Sequence, residues 1–261
     1  MRRSLILMLA ALVAMTLWAV PASAASPAKI TVVHGIPGDA LGLDKALPVD
    51  VCLADGSQLL GSVSFKGSNA AAPLQVPAGT YDIEVRLDTD PAASCEGAAV
   101  LAAPLTVESG KAYTAVAALT AGLVPGAADQ LGLGIDLFAF QNNANRIGAL
   151  KARATLGHFA DAPAVDIYTG LLKGKDNRFM RELFTGVPNG VAASRDFFFG
   201  MRWFGLAVSP SAGPEDIVIG PVRQGLDRRA NTFILAVGSL DKGSGSPFGL
   251  GSFDFVTYTQ R

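Results

Sequence analysis

The sequence predicts an all-β protein of two tandem antiparallel Greek-key β-sandwiches, placed after a cleaved signal peptide. Three observations point there. First, the chain repeats itself. Lys29-Ile30-Thr31-Val32-Val33-His34, leading to Val49-Asp50-Val51, is answered by Lys151 to His158, leading to Val165-Asp166-Ile167. Leu131-Gly132-Leu133-Gly134 is likewise answered by Phe248-Gly249-Leu250-Gly251. The offsets are 124 between the histidines, 116 between the aspartates and 117 between the glycine runs. Offsets so similar along a domain length indicate duplication with small insertions and deletions. Second, short apolar runs separated by Gly, Pro and Asp recur throughout, which is the spacing of sandwich strands rather than of helices. Third, the N-terminus has the three parts of an export signal.

That signal is read at residues 1–24. Arg2 and Arg3 supply the positive start, Leu5 to Val20 is apolar but for Thr16, and Ala22-Ser23-Ala24 offers small residues for cleavage. No later stretch approaches the roughly 20 apolar residues of a spanning helix, so no membrane span is expected in the mature chain. Of 261 residues, 237 remain after residue 24, enough for two self-sufficient cores. The expected location is exported, either periplasmic or secreted.

The first sandwich is placed at 26–141. Its clearest strand is Tyr81-Asp82-Ile83-Glu84-Val85-Arg86-Leu87-Asp88, which alternates apolar and charged residues, one face for a core and one for water. Pro77 and Gly79 supply the turn before it. Further strands are read at 49–53, 58–65 and 135–141, and 106–113 reads as strand, turn, strand, continued by 113–119. Cys52 and Cys95 are the only cysteines, and in an exported chain an isolated pair points to one disulfide. It would close a loop of 44 residues, stabilising by about 4 kcal/mol through chain entropy. Two thiols holding a metal is the alternative.

A polar linker follows at 142–150, short enough to bring the two sandwiches together and let them dock. The second sandwich is placed at 151–261, with strands near 152–158, 165–168, 203–209, 217–222, 232–238 and 252–259. Its middle has drifted: nothing between Ala192 and Ser209 resembles residues 77–82. It also holds 14 of the 19 aromatics that follow residue 24. Bulky rings filling a second core are one reading of that excess. The other is an exposed binding face formed by Phe197, Phe198, Phe199, Trp203 and Phe204, with Phe197 and Phe199 alternating against Phe198.

His158-Phe159-Ala160-Asp161-Ala162-Pro163-Ala164-Val165-Asp166-Ile167-Tyr168 resembles the opening signature of the DUF4397 family, and residues 76–82 and 108–114 resemble its middle and end. The first copy departs at the opening, with Gly35-Ile36-Pro37-Gly38-Asp39 and an insertion around 41–47. The resemblance implies exported or surface β-sandwiches, of the immunoglobulin or transthyretin kind, often in tandem and of undefined activity.

Chemistry is sparse. His34 and His158 are the only histidines, each followed by an aspartate, Asp50 and Asp166. The simplest expectation is a structural histidine–aspartate hydrogen bond fixing a loop in each copy. The alternative is a metal-assisted hydrolase using His158 and Asp166. No nucleophile motif accompanies them, and one histidine per domain is too few for a transition-metal site. Aspartates 39, 44, 50, 55, 88 and 90 suit calcium by type, without the EF-hand spacing. No cofactor or metal is expected.

Residues 25–150 carry 6 Lys+Arg against 12 Asp+Glu, a net of −6, while residues 151–261 carry 13 against 10, a net of +3. Neither balance supplies the clustered basic face of a nucleic-acid binder. The segments 173–178 and 224–229 read as exposed basic turns. The function expected is a non-catalytic binding or structural module of the cell envelope, its partner an envelope protein or glycan.

Overall fold

A computed structural model of the protein describes residues 25–44, 46–88, 94–172, 177–240 and 253–261. The export signal at 1–24, Asp90, the tip at 173–176 and the second glycine run at 249–251 lie outside the described residues. The described chain is built from strands in two sets. The first comprises β1 (Ala28–Gly35), β2 (Val49–Leu53), β3 (Gln58–Val63), β4 (Leu74–Val76), β5 (Gly79–Leu87), β6 (Ala99–Val107), β7 (Ala112–Leu119) and β8 (Ile135–Gln141). The second comprises β9 (Lys151–Asp161), β10 (Val165–Gly170), β11 (Arg181–Val187), β12 (Val191–Phe198), β13 (Gly200–Val208), β14 (Ile217–Leu226), β15 (Asn231–Ser239) and β16 (Asp254–Gln260). No described helix is long and apolar enough to cross a membrane.

Each set forms two sheets of four strands. Their orders are β4-β1-β7-β8 and β3-β2-β5-β6 in the first set, and β12-β9-β15-β16 and β11-β10-β13-β14 in the second. Adding eight to each strand number converts one set into the other, so the repeat extends to every strand pairing. One expectation needs correcting. The sheets are not wholly antiparallel, because β1 pairs with β7 and β9 with β15 in parallel. Between β1 and β7 the chain visits the opposite sheet, so no hairpin imposes the antiparallel sense. Parallel neighbours need such a long crossover.

The sheets stack in four layers, and burial reads out the order. In β5, an outer strand, Ile83 and Val85 face inward, while Glu84 and Arg86 point outward and pair with each other. The inner strands have no solvent face: β9 and β15 are buried along nearly their whole length. Period-two alternation divides their side chains between two cores. Ala117 and Leu119 of β7 pack with Val49, Val85 and Leu101 inside the first sandwich. Leu156, Ile234 and Ala236 pack with Ile167, Phe204 and Leu206 inside the second. The alternate positions, Val33, Val116 and Ala118 from one inner sheet and Phe159, Phe233, Leu235 and Val237 from the other, make a third core between the sandwiches.

Rings close that central layer. Phe159 stacks on Phe140 and tilts against Phe138, each at 5.8 Å, and Phe233 stacks on Tyr258 at 4.6 Å. Hydrogen bonds stitch its margin: Thr114 Oγ1 to Tyr258 OH at 2.9 Å, Asn142 Nδ2 to Gln260 Oε1 at 2.9 Å, and Gln260 Nε2 to Thr31 Oγ1 at 2.7 Å. Burial pushes the Tyr258 hydroxyl above its ordinary range, against the smaller pull of its Thr114 bond, so it stays protonated. Backbones approach closely here. A Cβ on Gly35 would lie 2.8 Å from Val237 Cγ1, which explains a glycine at the end of a buried strand.

Candidate functional site

The expected histidine–aspartate pairs do not form. His34 sits on β1 and donates from Nε2 to the Leu47 carbonyl at 2.8 Å. His158, its counterpart on β9, donates from Nε2 to the Pro163 carbonyl at 2.9 Å. In both rings the remaining Nδ1 is buried without a hydrogen-bond partner. A carbonyl acceptor at Nε2 fixes the proton there, so each ring is a neutral brace holding the loop between its strand and the next. Burial pushes the His34 imidazole down to about 4, against the smaller upward pull of the Leu47 carbonyl, and burial lowers His158 likewise.

That shift sets an acid limit. An unfolded histidine takes up its proton near pH 6.5, whereas folded His34 does so near 4. Stability is therefore intact above pH 6.5 and lost as pH falls toward 4, by up to about 1.4 kcal/mol per pH unit and about 3 kcal/mol in all for His34. Urea midpoints between pH 7 and pH 4.5 should fall accordingly. His34→Gln, which does not titrate, should flatten that dependence; an unchanged slope would contradict it.

The aspartates serve a different and duplicated purpose. Asp50 Oδ1 accepts from the Ser62 amide at 3.0 Å, and its Oδ2 from the Cys95 amide at 2.9 Å. Asp166 Oδ1 accepts from the Gly186 amide at 2.8 Å, and its Oδ2 from the Ser211 amide at 2.9 Å and hydroxyl at 2.6 Å. Ser62 and Gly186 both have positive φ, 51° and 60°, which turns their amides toward the carboxylate. Burial raises the Asp166 carboxyl, but its bonds from Ser211 and Gly186 together outweigh that and leave it below the ordinary range. Each aspartate thus clamps the third strand of its sandwich to the loop that follows the fifth. Two residues further on, Cys52 is joined to Cys95 by a disulfide, while Tyr168 OH meets Ser211 Oγ at 2.7 Å. A covalent link in one copy is a hydrogen bond in the other.

The aromatic stretch divides. Phe197 and Phe204 meet edge to face at 6.1 Å in the second core. Trp203 is half-buried against Tyr168, Met180 and Ala207. Phe198 and Phe199 are exposed, at 65% and 50%. The expected alternation stops at Phe198, where β12 ends, so Phe199 occupies the turn and does not share the inward face of Phe197.

These two rings stand at the end of the second sandwich where the linker enters. Phe198 pairs with Lys151, and the Phe199 amide approaches the Leu150 carbonyl at 3.4 Å. The Lys151 ammonium lies 3.9 Å from the centre of the Phe198 ring. The β14–β15 turn, with exposed Arg228 and Arg229, adjoins them through an Arg229 amide bond to Lys151 O at 2.8 Å. Leu171 and Leu172 leave β10 just past Gly170, which pairs with Trp203, close to the start of β13. Leu150, Leu171, Leu172 and Met201 are exposed, as is Phe179, which has the Arg178 guanidinium over its ring at 4.8 Å. Two carboxylates of this end are engaged by arginines: Asp227 by Arg261 at 3.1 Å and Asp196 by Arg153 at 2.7 Å.

The model of the family described as "Domain of unknown function (DUF4397)" matches residues 28–168, more than half of the chain. The protein belongs to the DUF4397 family. The matched stretch runs from the start of β1 to within β10, covering the first sandwich and the opening of the second. No curated protein matches. Among solved structures, the TIE protein of Bacillus anthracis shares 10% identity over 80% of this chain with a TM-score of 0.23; the chain spans 33% of that protein. A structure described as "a putative cell adhesion protein from Bacteroides ovatus" shares 10% identity over 90% of this chain and 96% of its own, with a TM-score of 0.25. Likeness at that level bears on neither activity nor partner.

Within this DUF4397 chain, then, the two conspicuous histidines brace loops, and the aspartates clamp them. Among the described residues no group of three or more His, Cys, Asp or Glu is placed to hold a metal ion. Of the loop acids considered for calcium, Asp44 accepts from the Ala46 amide and Asp55 from the Ser57 amide, each at 2.8 Å. The residues that the sequence did not mark are Leu150, Leu171, Leu172, Phe179 and Met201. Their signal was available only as apolar residues beside basic ones, spread between residues 150 and 201 and gathered by the fold.

Proposed function

We propose that this chain is an exported, non-catalytic binding module of the cell envelope, which makes contact through the linker end of its second sandwich. The observation carrying this reading is the exposure of Phe198 and Phe199 while Phe197 and Phe204, from the same stretch, fill the core. Rings of that size left in water are frequent interface anchors. The non-catalytic part is supported by the histidines: each has its Nε2 committed to a carbonyl and its Nδ1 sealed from solvent. Removal of residues 1–24 on export accords with the disulfide, which forms in oxidising compartments. The path in which β5 returns beside β2 supports a Greek-key reading of each sandwich.

The test is direct. The exported protein should sediment with isolated cell envelopes, and the double variant Phe198→Ala, Phe199→Ala should lose about tenfold in affinity while its melting temperature stays within a degree or two. Envelope binding that survives the double variant would overturn the reading. So would hydrolytic turnover on a broad substrate panel that disappears in a folded His158→Ala variant.

A further inference from the structure

The duplication provides an internal control for that end of the molecule, because each turn there has a counterpart in the first sandwich. Where β12 and β13 are joined at Phe198, Phe199 and Gly200, β4 and β5 are joined through Pro77 and Ala78. Where β10 gives way to Leu171 and Leu172, and β11 is preceded by Arg178 and Phe179, the β2–β3 connection reads Ala54-Asp55-Gly56-Ser57. The turn Asp227-Arg228-Arg229-Ala230 before β15 corresponds to Glu108-Ser109-Gly110-Lys111 before β7. Leu150, just before β9, corresponds to Pro27. Lys111 and Asp227 apart, the same strand pairings close over mainly small and acidic residues in one copy and over mainly apolar and basic residues in the other. The first copy reaches the same topology without counterparts of the second copy's rings, leucines and arginines.

We propose that this end docks on an anionic phospholipid surface. The inference rests on the reading of the linker end as the contact end, and names what it contacts. Phe198, Phe199 and Leu150 would enter the boundary between headgroups and acyl chains, and Lys151, Arg228 and Arg229 would face the phosphates. Apolar side chains ringed by cations are the composition of interfacial membrane anchors, in which burial and charge attraction each supply part of the hold. Charge selects this occupant. With Asp227 and Asp196 engaged by arginines, exposed Arg228 and Arg229 leave the end cationic, so a second copy presenting the same end is repelled. The acidic part before residue 151, with residues 25–150 at −6 against +3 for residues 151–261, turns the molecule so that its basic end faces a negative surface.

The experiment uses the exported full chain and vesicles of phosphatidylcholine with and without phosphatidylglycerol, read by co-sedimentation. Vesicles containing phosphatidylglycerol should bind at least about tenfold more strongly than phosphatidylcholine alone, and added salt should weaken that binding. Phe198→Ala with Phe199→Ala should weaken it about tenfold or more at unchanged melting temperature, and Arg228→Ala with Arg229→Ala should weaken it and flatten its salt dependence. No preference for the anionic vesicles would overturn the proposal, as would binding indifferent to all four residues. If isolated envelopes capture the chain through Phe198 and Phe199 while pure lipid does not, the lipid assignment fails and the contact end stands. If the double phenylalanine variant changes neither measurement, both fail.

Discussion

Phe159→Ala is expected to destabilise the protein by about 3–5 kcal/mol, as for other large-to-small changes at fully buried rings. Phe159 has no exposed surface, lies toward the C-terminal end of β9, and packs on Phe138 and Phe140 of the other sandwich. Its removal leaves a void that the rigid inner sheets cannot collapse to fill. The location adds a signature that a core ring within one sandwich lacks. Phe204→Ala should weaken the second sandwich alone, whereas Phe159→Ala should loosen the coupling between the two. Calorimetry of the parent chain should give one cooperative transition, and Phe159→Ala should split or broaden it. A variant within about 0.5 kcal/mol of the parent, the range of ordinary surface changes, would contradict the central-core assignment. Phe199→Ala is the matched control, because the same side chain in water contributes little to stability.

Loss of the Cys52–Cys95 disulfide is expected to cost about 4 kcal/mol, from the entropy that a 44-residue closed loop removes from the unfolded chain. Cys52 is buried on β2, and its Cα lies 6.0 Å from that of Cys95. The second sandwich holds the equivalent loop by Tyr168 and Ser211, with no sulfur. Reduction should therefore act on one copy. Hydrogen exchange after reduction should accelerate in β2, β5 and β6 while β10, β13 and β14 keep their protection. Equal loss in both copies would show that the disulfide does not act locally. Two titratable thiols in native protein would contradict the bond itself.

The parts of this molecule that were legible in the sequence are those where one residue's environment follows from its neighbours along the chain. The alternation at Tyr81–Leu87 marks β5 because a half-buried strand must alternate. The repeated histidine and aspartate mark equivalent points because they serve equivalent loops. Strands β11 and β12 were not legible. They are sheet edges, where Arg181, Glu182, Ser194 and Arg195 are tolerated because one side of each strand faces water. The aspartate clamps were hidden for another reason: their partners are backbone amides, and the left-handed turn at Ser62 has no side-chain signature. The apparent histidine–aspartate pairing was a coincidence of sequence order, since the two side chains are committed to different loops. Within the aromatic stretch, burial depended on where β12 stops. Only the three-dimensional register distinguishes Phe197 from Phe199.

The third core, between the sandwiches, also bears on how such a chain came to exist. Cut at the linker, each half would show water a whole sheet face: Val33, Val116 and Ala118 on one, Phe159, Phe233 and Leu235 on the other. Neither half is a finished molecule. A gene encoding a single copy would yield a protein that seeks a twin, and its abundance would decide how often it found one. Joining two copies through residues 142–150 replaces that search with a tether, which holds the faces at an effective concentration in the millimolar range however dilute the protein becomes. Once pairing no longer depends on both halves being the same, each is free to change its outer surface without consulting the other. A chain that began as two identical halves thereby gains a front and a back.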